Sequence, residues 1–181
     1  IAINHDPRLT EKVLGIVFAP AETEEAYRSL ADLLLARGMD ADAPLVVVSD
    51  GARVIPAAFA RSFTNVCFQR CQWHLAKEVR DLAPAREKEA VSSAAWWVLR
   101  APSQDEADQR FDAVSERLHK RAPESLAALE RGFLDATLCL RQPVIQRTNG
   151  RAERYVRELR RHYRPREAFR DTRSAVRRIS M

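Results

Sequence analysis

No apolar run in this chain approaches the ~20 residues that a membrane-spanning helix needs, and no stretch has the layout of a signal peptide. Low-complexity segments are absent, and five Gly and nine Pro are ordinary numbers for 181 residues. Cysteine is scarce. Cys67, Cys71 and Cys139 make an odd set of three, so metal binding or packing comes before disulfides, and a reducing cytoplasm is the natural compartment. Lysine is missing from residues 141–181, where thirteen Arg face four acids, a balance of +9. Taking that +9 from the net charge of +5 leaves −4 on the other 140 residues. Charge so unevenly spread points to a polyanion, nucleic acid first, as partner of the C-terminal part. A solvated basic face is the plainer alternative.

What the chain does have is enough apolar content, 46%, to bury one core, so one domain with an insertion is expected. Ile1–His5 and Lys12–Ala19 are strand-like runs joined by a hairpin connection at Asp6–Thr10. Thr23–Arg37 reads as a helix, with Thr23 as cap, Tyr27, Leu30, Leu33 and Leu34 as its apolar stripe, and Gly38 as its stop. Leu45–Ser49 is a short strand of the buried type, followed by a turn, a helix near Val54–Arg61 and a strand at Thr64–Phe68. Beyond Cys71 the pattern is helical, over Trp73–Leu82, Ala85–Arg100, Gln104–Lys120 with Ser103 as cap, and Pro123–Leu134. A last helix runs from Asn149 to about His162, where Pro165 breaks it. This is a mixed α/β order around one central sheet. Ile1 lies inside a strand pattern and Met181 inside a basic helical one, so the chain is expected to be a piece of a longer protein.

Three places bear chemistry. Asp50 follows the Leu45–Ser49 strand at its carboxyl end, the edge where open α/β sheets bind ligands and where a carboxylate can hold Mg²⁺. A Ser-Asp-Gly turn accounts for it equally simply. Glu153 lies in the first turn of a helix capped by Thr148 or Asn149, where it offsets the helix dipole. Arg147, Arg151, Arg154, Arg157, Arg160 and Arg161 surround it, a setting suited to a metal beside a phosphate. Cys71 and His74 share one side of a helical turn, and Cys67 completes a C-x3-C-x2-H run that could hold Zn²⁺. Against that, Cys67 is expected to point into the core, and His5, His119 and His162 are too remote in sequence to supply an obvious fourth ligand. The other reading is a packed corner with Trp73 in the core. Trp96 and Trp97 read as helix–helix packing rather than base stacking.

In order and spacing, "LVVVSDGARV", "QRCQWHLAKEV" and "RTNGRAERYVRELRRHYRP" resemble the Mutator-type transposases of bacterial insertion sequences, a DDE family with an RNase H-like fold. "KVLGIVFAPAETEEAYRSLADLLLARG" is similar to the strand and helix before the family's second Asp, so the likeness covers nearly the whole chain. It implies an RNase H-like mixed sheet flanked by helices, with an all-helical insertion before the last core helix. The expected division is 1–83 for the first part of the core, 84–140 for the insertion, 141–165 for the helix carrying Glu153, and 166–181 for a basic segment.

The resemblance makes Asp50 the second family Asp, Glu153 the catalytic Glu, and Cys71 with His74 the Cys-x2-His signature. In the family the first Asp sits on the first strand, and this chain is expected to begin at the second; Asp6 falls in the hairpin turn and is not given the role. The implied chemistry is strand cleavage and transfer on DNA through two Mg²⁺ (or Mn²⁺) ions, with Asp50 and Glu153 supplying two of three carboxylates. The arginines would contact phosphates of element ends and target DNA. A homo-oligomer, when full length, and a cytoplasmic, nucleoid-associated location are implied too, with this piece alone inactive. Two alternatives stay open: a non-catalytic DNA-binding module, decayed or zinc-stabilised, and an RNase H-like nuclease unrelated to transposition.

Overall fold

Thr23 starts the first helix as expected, its Oγ1 accepting from the Ala26 N–H at 3.3 Å. Helix α1 (Glu24–Ala36) follows, and Gly38, at φ +92°, ends it in the left-handed conformation that glycine adopts freely. The computed structural model describes residues 1–4 and 12–163, with side chains to residue 161. The expected hairpin connection at Asp6–Thr10, His5, the side chain of His162, Pro165 and the 166–181 segment lie outside those residues. The fold is mixed α/β and mostly helical, with two small sheets among the described residues. It divides into two compact units.

The first unit comprises residues 1–44, 53–66 and those from Gly150 onward. Its strands β1 (Ala2–Ile3) and β2 (Val13–Gly15) pair antiparallel, Ala2 opposite Gly15 and Ile3 opposite Val13. Strand β2 is shorter than the Lys12–Ala19 run suggested. Gly15 lets it come close to α1: a Cβ there would sit 3.0 Å from Leu33 Cδ2. Leu30, Ala31 and Leu34 of α1 are buried together with Ile55, Ala58 and Phe59 of helix α2 (Val54–Phe59). Phe59 stacks on Phe63 with ring centroids 5.9 Å apart. The last helix of this unit, α8 (Gly150–Tyr163), packs on β1.

The second unit comprises residues 45–52 and 67–149. Strands β3 (Leu45–Ser49) and β4 (Val66–Arg70) are hydrogen-bonded neighbours. The Cys71 N–H donates to Ser49 O at 2.6 Å, joining their carboxyl ends, so the two run parallel. Strand β3 is half-buried along its whole length rather than fully buried, and β4 starts two residues later than the Thr64–Phe68 run suggested. Helices α3 (Gln72–Asp81), α4 (Lys88–Leu99), α5 (Gln104–Arg121), α6 (Pro123–Ala136) and α7 (Leu138–Arg141) follow. A 3₁₀ turn at Ala85–Glu87 takes the first residues of the expected Ala85–Arg100 helix. Ser103 caps α5, its Oγ accepting from Glu106 N–H at 3.3 Å. The core is built from Leu75 and Val79 of α3, Val91, Val98 and Leu99 of α4, Val114 of α5, and Leu129 and Phe133 of α6. Buried small residues (Ala76, Ala95, Ala107, Ala128, Ala136) let these helices approach closely.

Candidate functional site

Asp50 follows β3 directly and is half-buried. Its Oδ1 accepts from Ala52 N–H at 3.1 Å, closing an Asx turn. Gly51 sits inside that turn at φ +96°, where a side chain would be strained. Asp50 therefore stands at the carboxyl edge of a parallel strand pair, with one of its oxygens already engaged by its own turn.

Beside it, β4 turns into α3 through Cys71. That residue is 1% exposed and stands as the residue before the helix, without a side-chain capping bond. His74 lies one turn on, its ring edge-to-face with Trp73 at 4.9 Å. Two expectations are corrected here. Cys67 is exposed rather than core-facing, and Trp73 is 47% exposed rather than part of the core. Gln69, on the same side of β4 as Cys67, turns inward instead, not to apolar neighbours but to a hydrogen-bond network. Gln69 Nε2 donates to Ala136 O at 2.8 Å, and its Oε1 accepts from Cys139 N–H at 2.9 Å. Gln72 Nε2 reaches the same Ala136 carbonyl at 2.9 Å. Two buried amides thus satisfy the carboxyl end of α6, and Gln72, Leu75 and Ala76 take the inward side of α3 that Trp73 was expected to occupy. Among the described residues no three His, Cys, Asp or Glu side chains gather as a metal-holding group, the trio Cys67, Cys71 and His74 included.

Glu153 lies in the first turn of α8 and is half-buried. Asn149, an expected cap, keeps its Oδ1 buried with no hydrogen bond. Arg151, Arg154, Arg157, Arg160 and Arg161 are exposed. At 3.6 residues per turn, Arg151, Arg154, Arg157 and Arg161 fall within about a third of the helix circumference. Ala152, Tyr155, Val156 and Leu159, all half-buried, form the opposite stripe. Glu153 stands on the boundary between the two. Arg161 pairs with Glu158 at 3.4 Å. Arg147 belongs to the second unit and has a different neighbourhood: its guanidinium donates to Leu99 O at 3.1 Å, at the end of α4, and its carbonyl accepts from Gln72 N–H at 2.9 Å.

The tryptophan pair divides its work. Trp96 packs against the core with Arg100 over its ring at 4.6 Å, as helix packing required. Trp97 is 47% exposed, with Arg110 5.2 Å from its ring centroid and donating to its carbonyl at 2.7 Å.

The family model for "Transposase, Mutator family" matches residues 1–181. The chain belongs to the Mutator family of transposases. It is 29% identical over 186 residues to the transposase for insertion sequence element IS406 of Burkholderia multivorans, covering 99% of this chain and 47% of that one. To the transposase for IS256 in transposon Tn4001 of Staphylococcus aureus it is 26% identical over 130 residues, covering 69% and 32%. A probable insertion-sequence transposase of Corynebacterium diphtheriae is 28% identical over 127 residues, covering 70% and 36%. The chain thus spans less than half the length of these relatives. No helix among the described residues is long and apolar enough to cross a membrane.

Two contributors escaped sequence reasoning: Gln69 and Gln72. Their signal lay in the letters around the Cys-x2-His pair, where polar residues stand at strand and helix positions that face inward.

Proposed function

We propose that the chain forms part of the catalytic region of a DDE-type, RNase H-like transposase that cleaves element-end DNA and transfers it to a target. The family match over all 181 residues carries this reading. Support comes from Asp50 at the carboxyl edge of parallel β3 and β4, where α/β proteins collect their ligands. Further support comes from the exposed arginine face beside Glu153 on α8.

In the proposed reaction a water or a DNA 3′-hydroxyl attacks a backbone phosphorus in line, and the opposite oxygen leaves. The exposed arginines of α8 would hold phosphates by charge-assisted hydrogen bonds, fixing the strand against the reacting groups. Mg²⁺ would supply the charge that such a displacement needs. Carboxylates are the correct donors for it, but Asp50 and Glu153 belong to separate units, and no three-ligand group exists among the described residues. The described residues therefore do not make a complete metal centre.

The test uses the full-length protein and a duplex carrying an element end. Asp50→Ala and Glu153→Ala should each abolish Mg²⁺-dependent strand cleavage, by about a thousandfold or more if they hold the metal, while circular dichroism and DNA affinity persist. Cleavage that survives either substitution would sink the catalytic assignment of that residue.

A further inference from the structure

Arg70, the last residue of β4, packs against Gly51 in the Asp50 turn, and no part of the proposed catalytic set uses it. A Cβ on Gly51 would lie 2.5 Å from Arg70 Nε, 3.0 Å from its Cδ and 3.1 Å from its Cγ. The arginine stem and guanidinium therefore lie flush against the backbone of the turn. On its other flank, a Cβ on Gly132 of α6 would lie 2.5 Å from Arg70 Nη1 and 2.7 Å from Leu75 Cδ1. The far end of the fork is ion-paired and hydrogen-bonded to Glu78 of α3, and Glu78 in turn meets Arg131 of α6 at 3.6 Å. The Arg70 side chain is only 16% exposed, and its Nε is buried without a hydrogen-bond partner.

An arginine in this position costs desolvation that a smaller or apolar side chain would avoid. Two glycines also have to make room for it, one at α6 and one in a turn whose backbone already demands glycine. We infer that Arg70 is a positioning residue for Asp50. Clamped between Gly51 and Gly132 and anchored on Glu78, it holds the Asx turn closed and fixes the direction in which the Asp50 carboxylate projects from the end of β3. This rests on Asp50 being a catalytic carboxylate. Misplacing a catalytic group by about 1 Å costs on the order of a hundredfold in rate, so a rigid buttress at this turn has a direct use.

The Ala52 amide, hydrogen-bonded to Asp50 Oδ1, reports on the turn without reference to activity. In the full-length protein, Arg70→Gln should speed hydrogen exchange at Ala52 about tenfold while the amides of α4 keep their protection. Arg70→Lys, keeping charge but not the fork, should fall between. Cleavage by Arg70→Gln should drop on the order of a hundredfold with DNA affinity unchanged. If Arg70→Gln does not fold, Glu78→Gln removes the anchor from a more exposed position and should speed Ala52 exchange in the same direction. Unchanged Ala52 exchange in the folded variants overturns the inference, as does cleavage that falls only in proportion to DNA binding. Asp50→Asn run in parallel separates the two claims. If it retains cleavage, the catalytic reading has failed; if it is inactive while Ala52 exchange ignores Arg70, only the positioning role has.

Discussion

Cys139 is buried near the junction of α6 and α7, and burial pushes its thiol above the ordinary value of 9.0. Between that value and the higher native one, the unfolded chain has already released a proton that the native state keeps. Its contribution to stability is thus complete below pH 9.0 and is lost as pH rises through the native pKa. Urea titrations of the parent and Cys139→Ala should show the destabilisation by the substitution shrinking as pH is raised past that point. The same burial ranks the thiols for modification. At mildly alkaline pH a thiol reagent should label exposed Cys67 first and leave Cys71 and Cys139 to react at the rate of local opening. Equal rates at all three would contradict the burial described here. Which cysteine faced water was not legible beforehand, because Cys67 shares a side of β4 with buried Gln69 and is nonetheless exposed.

At the scale of elements, helices α1 and α5 were legible nearly to the residue, because Thr23 and Ser103 carry their start signals in their own side chains. Ser103→Ala should cost about 1 kcal/mol. Gln69→Leu should cost more, about 1–3 kcal/mol, since it strips the Cys139 N–H of its buried acceptor. Denaturant midpoints of the two variants give the order, and a smaller loss for Gln69→Leu would show that the network is not needed at the end of α6. No periodicity argument finds that network. Its partners are 64 to 70 residues apart in sequence, and a glutamine on a short strand looks like a solvent-facing residue. Helix α7 was missed for a similar reason: four residues are too few to show a helical period. The strands were harder than the helices throughout. Strand β2 keeps only three residues of an eight-residue apolar-rich run, since pairing with two-residue β1 sets its length.

For the molecule as a whole, charge distribution was the most informative property of the sequence, and α8 gives it a shape. Replacing Arg151, Arg154 and Arg157 together by Gln should reduce the slope of log affinity against log salt by about 2 to 3 for duplex DNA. Anisotropy titrations at several salt concentrations measure this; an unchanged slope would remove that helix face from the interface. The family was legible because the Ser-Asp-Gly, Cys-x2-His and Asn-Gly-Arg-Ala-Glu stretches stand in the right order. The neighbourhood of Arg147 was not legible, because nothing in a run of arginines distinguishes the one that bonds the end of α4 from the others.

That arginine has one more consequence. With the Gln72 amide and the Arg147 carbonyl 2.9 Å apart, the 74 residues between them leave and rejoin the chain at a single point. The helices from α3 to α7 are therefore tied off like a bag at its neck. Such a segment can lengthen or shorten in loops away from α3 and α6, whose contacts with Gln69 and Arg70 tie it to β4, without asking the chain on either side to change its path.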